Sequence, residues 1–203
     1  MGRPKGPARD TRSLILAHAF DLFSTAGYRA VTVKDIAAAV GIKDASLYNY
    51  FPSKQQLFDE VLGRERDYAR TTLAAATRPF RPTGKGPVAD GGAFQDLVID
   101  AIEPLFADER LLALRRLLTV TQFESEEAGQ LYQELFIDLL QGYFRSLLDS
   151  VVAARVLDQC NTVTAAAELH GVLFVLLAQN KRWSEARPRA MAYIRAFERN
   201  HSS

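Results

Sequence analysis

TVKDIAAAVGIKDASLYNYF, residues 32–51, is laid out as two short helices joined by a tight turn. Ile36, Ala37 and Val40 recur at helical spacing, so residues 33–40 form a helix with a core stripe. Thr32 caps it, and Asp35, three residues on, meets the positive end of the helix dipole. Small Ala37 permits close approach of a neighbouring helix, Gly41 supplies a left-handed turn, and Ile42 plugs the corner. A second helix fits residues 44–50 and stops before Pro52, which disfavours helix at Phe51. At about 100° per residue, Leu47, Tyr50 and Phe51 share the inward side. Ala45 and Asn49 fall opposite, with Ser46 and Tyr48 on the flanks. This is a helix-turn-helix, the arrangement that lets a second helix project into a DNA major groove.

Helical periodicity extends in both directions. Ile15, Ala19, Leu22, Phe23 and Ala26 mark a helix over residues 12–26, with Asp10 or Thr11 as its cap and Gly27 at its end. Ser53 and Gln56 form a capping box that opens a helix reaching residue 76. Residues 77–92, TRPFRPTGKGPVADGG, read as a loop because three prolines and four glycines interrupt any helical pattern. Further helices fit residues 94–106, 109–123, 128–156, 163–181 and 184–200. No strand pattern and no fixed-period repeat is present. The predicted fold is all-α.

The chain has 203 residues, enough to bury a sizeable core without disulfide or metal staples. Its single cysteine, Cys160, closes no intrachain disulfide and fits a reducing, cytoplasmic setting. Residues 131–156 are broken by Glu134, Asp138, Arg145 and Asp149, so they read as no membrane span. The 25 Lys and Arg against 24 Asp and Glu at first argue against a nucleic-acid partner. That total is a cancellation between regions. Arg3, Lys5, Arg9 and Arg12 make a basic start, residues 100–138 are acidic, and bases return from Lys181 onward. What bears on DNA is the local charge, and near the helix-turn-helix Lys34, Lys43 and Lys54 outnumber the acids.

The run resembles the DNA-binding domain of the TetR family of bacterial transcriptional regulators. The matching residues are Thr32, Ile36, Ala37, Val40-Gly41-Ile42, Ser46-Leu47-Tyr48 and Phe51, followed by Ser53-Lys54 and Leu57-Phe58. The preceding AFDLFSTAGYRAVTV is similar to the family's first helix and its Gly-Tyr turn. Three positions depart from the pattern. Lys43 stands where the family often has a capping Ser or Thr, Ala45 where it often has Gly, and Tyr50 where it often has His. The departure at Lys43 moves the expected cap to Asp44. Near phosphates, Asp44 is tolerable as a cap, as a partner of Lys43, or as an acceptor from a cytosine amino group.

The resemblance implies two domains, a helix-turn-helix DNA-binding domain with a basic arm at residues 1–53 and a helical effector-binding and dimerisation domain at 54–203. It implies a homodimer placing two recognition helices about 34–36 Å apart on a palindromic operator. A repressor released by a small apolar or aromatic effector is the expected function, with a transcriptional activator or a helical protein-binding adaptor as alternatives. The expected DNA partners are Arg3, Thr32, Val33, Lys34, Lys43, Asp44, Ala45, Ser46, Tyr48, Asn49, Tyr50 and Lys54. By residue type, Thr32, Lys34, Lys43, Tyr48 and Lys54 suit phosphates, Ala45 a thymine methyl, and Asn49 adenine N6 and N7. Arg3 lies in GRPKGP, which resembles the Gly-Arg-Pro core of minor-groove hooks; a solvated start competes with that reading.

Phe106, Phe123, Tyr132, Phe136, Tyr143, His170 and Phe174 are candidates for the effector pocket, because such sites are mostly apolar with a few polar anchors. For His170, in LHGVLFVLL, a hydrogen-bonded core position is the plainer reading. Residues 128–156 with Leu131, Leu135, Leu139, Tyr143 and Leu147, together with 172–177, form the expected four-helix dimer interface. No enzyme, cofactor or metal is expected. Cys160 and His170 make no local nucleophile–base pair, the three histidines have no metal-ligand spacing, and Gly84-Lys85-Gly86 lacks the Ser or Thr of a phosphate loop.

Overall fold

The computed structural model describes residues 10–83 and 87–202, the side chains of 87–89 excepted. The expected arm with Arg3 and the Gly84-Lys85-Gly86 run lie outside the described residues. Among those described, every regular element is helical: α1 (Thr11–Ala26), α2 (Val33–Val40), α3 (Asp44–Leu47), α4 (Lys54–Ala76), α5 (Pro87–Ala107), α6 (Glu109–Thr121), α7 (Glu126–Gln133), a π-helical turn (Glu134–Asp138), α8 (Leu139–Ala153), α9 (Thr162–Ala178) and α10 (Trp183–Asn200). The chain forms two compact units. One takes residues up to Asp67 together with Ala113–Leu131, and the other takes Tyr68–Leu112 and Tyr132–Ser203.

The first unit holds the helix-turn-helix. Asp10 caps α1, its carboxylate accepting from the Ser13 amide at 3.1 Å. Those two bonds to Ser13, hydroxyl first and amide second, pull the Asp10 pKa down. Ile15, Ala19 and Phe23 of α1, Ile36 and Ala37 of α2, Leu47 of α3, Phe51, and Leu57 and Phe58 of α4 are all buried. Phe23 meets Phe58 edge-on, with ring centroids 5.4 Å apart, a preferred aromatic arrangement. Leu114, Leu117 and Leu118 of α6 are buried as well.

In the second unit α8 packs on α9, α5 on α10 and on α8, and α10 on α9. Phe94, Ile102, Phe136, Phe144, Leu173 and Ile194 are among its buried side chains. Two sequence expectations are corrected here. The predicted loop 77–92 gives way to helix at Pro87, which is a favourable first helical residue. Gly91 and Gly92 lie inside that helix, where the packing of α5 on α10 outweighs glycine's weak helix propensity. The second correction concerns residues 128–156, predicted as one helix. The π-helical turn interrupts it, as Phe136 O pairs with His170 Nε2 at 3.0 Å. The α9 helix starts at Thr162, so Cys160 precedes it.

Candidate nucleic-acid interface

Thr32 and Asp35 set the start of α2 by capping each other. Thr32 Oγ1 accepts from the Asp35 amide at 3.2 Å, and Asp35 Oδ2 accepts from the Thr32 amide at 2.8 Å. The Thr32 hydroxyl also donates to Asp35, and this bond is the main cause that holds the Asp35 pKa below the ordinary carboxylate value. Gly41 ends α2 in the left-handed region (φ 77°, ψ 37°), where a residue with Cβ is strained. The Ile42 amide then donates back to the Ala37 carbonyl at 3.0 Å, closing a Schellman turn.

The recognition element is shorter than its sequence suggests. Its regular helix covers only Asp44–Leu47, and residues 48–50 continue as turn. Lys43, with extended φ and ψ, is the cap residue and makes no side-chain cap bond. The expectation that Asp44 caps is therefore corrected, because Asp44 is already the first helical residue. Tyr50 is corrected too. It is 40% exposed rather than packed with Leu47 and Phe51, because beyond Leu47 the chain leaves the 100° spacing that put Tyr50 on the inward side. The Phe51 amide still donates to the Leu47 carbonyl at 3.0 Å, which seats Phe51 in the core.

Around this motif Thr32, Val33, Lys34, Asp44, Tyr48 and Lys54 line one shallow concavity. Lys43, the cap of α3, and Ala45, Ser46, Asn49 and Tyr50, on α3 and the turn that follows, lie outside it. All of these but Val33, Ser46 and Lys54 are exposed, and those three are half-buried. Lys54 is held over the ring of Tyr28, and burial lowers its pKa from the ordinary lysine value. Arg29 borders the same concavity and was not among the expected contacts. The available signal was a basic residue three positions before the Thr32 cap. The resulting surface is cationic, hydroxyl-bearing and aromatic, which suits phosphate oxygens and base edges.

Of the residues expected around an effector, Tyr132, Phe136, His170 and Phe174 are linked through the Phe136 carbonyl, which pairs with His170. Phe106 contacts Trp183 (centroids 5.3 Å), Tyr132 contacts Phe136 (5.4 Å) and His170 contacts Phe174 (5.7 Å). Tyr143 donates to the Arg78 carbonyl at 2.9 Å, and burial pushes its hydroxyl up to about 12. Phe123 belongs to the first unit and is 87% exposed. None of these residues borders the open concavity between α4 and α5, whose lining includes Arg78, Asp100, Glu103 and Asp108. Among the described residues no His, Cys, Asp and Glu group could hold a metal ion, and no helix is long and apolar enough to cross a membrane.

Comparison with known proteins agrees with this geometry. Residues 15–61, from α1 into α4, match the family described as bacterial regulatory proteins, tetR family. The chain is 31% identical over 172 residues to the HTH-type transcriptional repressor KstR2 of Rhodococcus jostii, covering 74% of this chain and 79% of that protein. It is 30% identical over 176 residues to KstR2 of Mycobacterium tuberculosis, covering 81% and 84%. Among solved structures, the TetR-family regulator PfmR of Thermus thermophilus shares the fold, with a TM-score of 0.64 over 91% of this chain and 97% of that one, at 23% identity. Salmonella enterica GusR does so with a TM-score of 0.65 at 18% identity, covering 95% of each chain. The capped, Schellman-terminated α2 and the exposed face of α3 thus belong to a chain of the TetR family, a DNA-binding transcriptional regulator.

Proposed function

We propose that this regulator is a homodimeric repressor that leaves a palindromic operator when a small apolar or aromatic effector binds. In this reading residues 1–53 bind DNA and residues 54–203 bind effector and dimerise. The observation that carries it is the convergence of Thr32, Lys34, Tyr48 and Lys54 on one concavity beside the exposed face of α3. The repressors named above, similar over most of their length, favour repression over activation.

Thr32, Lys34, Lys43, Tyr48 and Lys54 grip phosphates, and Ala45, Ser46, Asn49 and Tyr50 face base edges. Val33 packs at the groove wall, and Asp44 accepts from a cytosine amino group or pairs with Lys43. A palindrome matches two copies, whose recognition elements enter successive major grooves about 34–36 Å apart. Effector binding moves α4 and changes that separation, acting only through its differential affinity for the two arrangements.

Dimerisation through α8 and α9 is supported by an outward α9 face that carries Ala167, Gly171, Val175 and Ala178, with Glu168 at its edge beside His201. Leu131, Leu135 and Leu147 are buried within the chain, so the outward residues of α9 carry more of this interface than those leucines.

The test is a mobility-shift titration against the DNA upstream of the chain's own gene, with competitor DNA, over a range of salt. Sequence-selective, salt-dependent binding that a small molecule reverses is expected. Absence of selective binding favours an adaptor, and selective binding that no small molecule alters overturns the effector half of the proposal.

A further inference from the structure

Arg29 stands in the turn between α1 and α2, and its Nε lies 2.9 Å from Glu124 Oε2. The arginine side chain is 78% exposed and borders the concavity that Thr32, Lys34, Tyr48 and Lys54 line. Glu124 comes from a distant stretch of sequence, the turn between α6 and α7, within the same compact unit. That turn is well fixed. Its Glu124 and Ser125 amides donate to the Thr121 carbonyl at 2.9 and 3.0 Å, and Ser125 Oγ caps α7 through the Ala128 amide. Gly129 lets α7 approach the turn closely, since a Cβ there would sit 3.0 Å from the Gln122 carbonyl.

A guanidinium matches a carboxylate and a phosphate with the same fork of donors. A largely exposed ion pair gains little in water, so a phosphate competes for this arginine on nearly equal terms. We infer that Arg29 is a further phosphate-gripping residue of the DNA surface, and that Glu124 acts as a built-in phosphate surrogate that holds it back. The carboxylate is carried by a segment, Ala113–Leu131, whose two ends both continue into the second unit. A shift of that segment changes how free Arg29 is, without any contact between effector and DNA. The inference rests on the DNA-binding reading of this face and adds a device that tunes it.

The experiment measures affinity against salt for the full-length protein on the DNA upstream of its own gene, and on a scrambled duplex of equal length. The variants are Glu124→Gln, Arg29→Ala, the double variant, and Lys54→Ala as a reference for the face itself, each checked for native helicity by circular dichroism. Glu124→Gln is expected to tighten binding to both duplexes about two- to fivefold near 0.1 M salt. Arg29→Ala weakens binding and flattens the salt slope by about 0.9 relative to Glu124→Gln. In the double variant the gain from Glu124→Gln disappears.

An equal gain with and without Arg29 overturns the inference, since Glu124 then acts only as a general negative charge. Weaker binding by Glu124→Gln overturns it as well, and so does an unchanged Arg29→Ala. If Lys54→Ala lowers affinity while Arg29→Ala does not, the inference alone fails. If neither matters, the reading of this face as the DNA surface fails with it.

Discussion

The ammonium of Lys54 lies over the ring of Tyr28, 4.3 Å from its centroid. Tyr28 is itself fixed, with its hydroxyl donating to Gln55 Oε1 at 2.9 Å and its ring 4.4 Å from that of Phe58. The contact joins the turn after α1 to the start of α4 and keeps a long, flexible cation at the edge of the concavity proposed to face DNA. Holding the lysine there lowers the entropy lost when it meets a phosphate.

Lys54→Ala is therefore expected to weaken binding to operator and non-operator DNA alike. The plot of log affinity against log salt flattens by about one unit, because one phosphate neutralisation is lost. Lys54→Arg restores most of the slope. A loss confined to one operator sequence would instead make Lys54 a base-reading residue.

Thr32→Ala removes both the cap on α2 and the hydroxyl bond to Asp35, and is expected to cost about 1 kcal/mol in urea unfolding followed by circular dichroism. Thr32→Ser recovers most of it. The reciprocal pairing also has a pH signature. The Asp35 pKa is depressed in the folded chain, so its contribution is present above the ordinary carboxylate value near 3.8 and is lost as pH falls through the lower folded value. Asp35→Asn should remove this part of the acid destabilisation, while Asp10, depressed by its own bonds to Ser13, keeps its share.

These caps show what a linear reading can and cannot reach. Thr32, Asp35 and Gly41 act within a few residues of chain, so spacing alone places the start and end of α2. The same holds for Ser53, whose hydroxyl accepts from the Gln56 amide at 3.0 Å. Tyr50 shows the limit, since its exposure depends on where α3 stops, and tertiary packing of Leu47 and Phe51 sets that point. Gly91 looks like a loop residue until α5 is seen packed on α10. The π-helical turn likewise meets a histidine 34 residues away along the chain, a contact no local spacing reveals. Arg29 became a candidate only when folding brought it to the concavity and to Glu124.

His170 is buried in α9 and reaches across to that π-helical turn. A carbonyl only accepts, so Nε2 carries the proton toward Phe136 O, and Nδ1 lies 3.4 Å from Gln141 Nε2 as an acceptor. Burial pulls the His170 pKa below its ordinary value, outweighing the bond to Phe136 that raises it. The neutral ring is thus the folded form. In the unfolded chain the same ring takes up a proton near pH 6.5. Stability tied to His170 is then fully present above that pH and falls as the solution is acidified below it. The melting temperature of the wild type should drop more between pH 7.5 and 5.5 than that of His170→Gln. Equal drops would show that His170 protonates as easily folded as unfolded.

Val175 sits on the outward face of α9 with 56% of its surface exposed, close in sequence to Gly171, beside which a Cβ would meet open space. An exposed valine on a face of small residues, with Glu168 at its edge, suits a second copy of the same helix packing across a two-fold axis. Val175→Asp is expected to convert a dimer to a monomer in sedimentation equilibrium, because a carboxylate buried at such an interface has no partner. Helix content should hold, since the side chain is exposed in the single chain. Leu147→Arg cannot serve this purpose, as Leu147 is buried within its own chain and the substitution attacks folding itself. Val120→Asp is the control: Val120 is 64% exposed but belongs to the first unit, so its substitution should leave the mass unchanged. With the dimer lost, two half-sites are no longer gripped together, and operator affinity should fall toward that for non-specific DNA. A wild type that is monomeric at micromolar concentration, yet still binds its palindrome tightly, would overturn the dimeric reading.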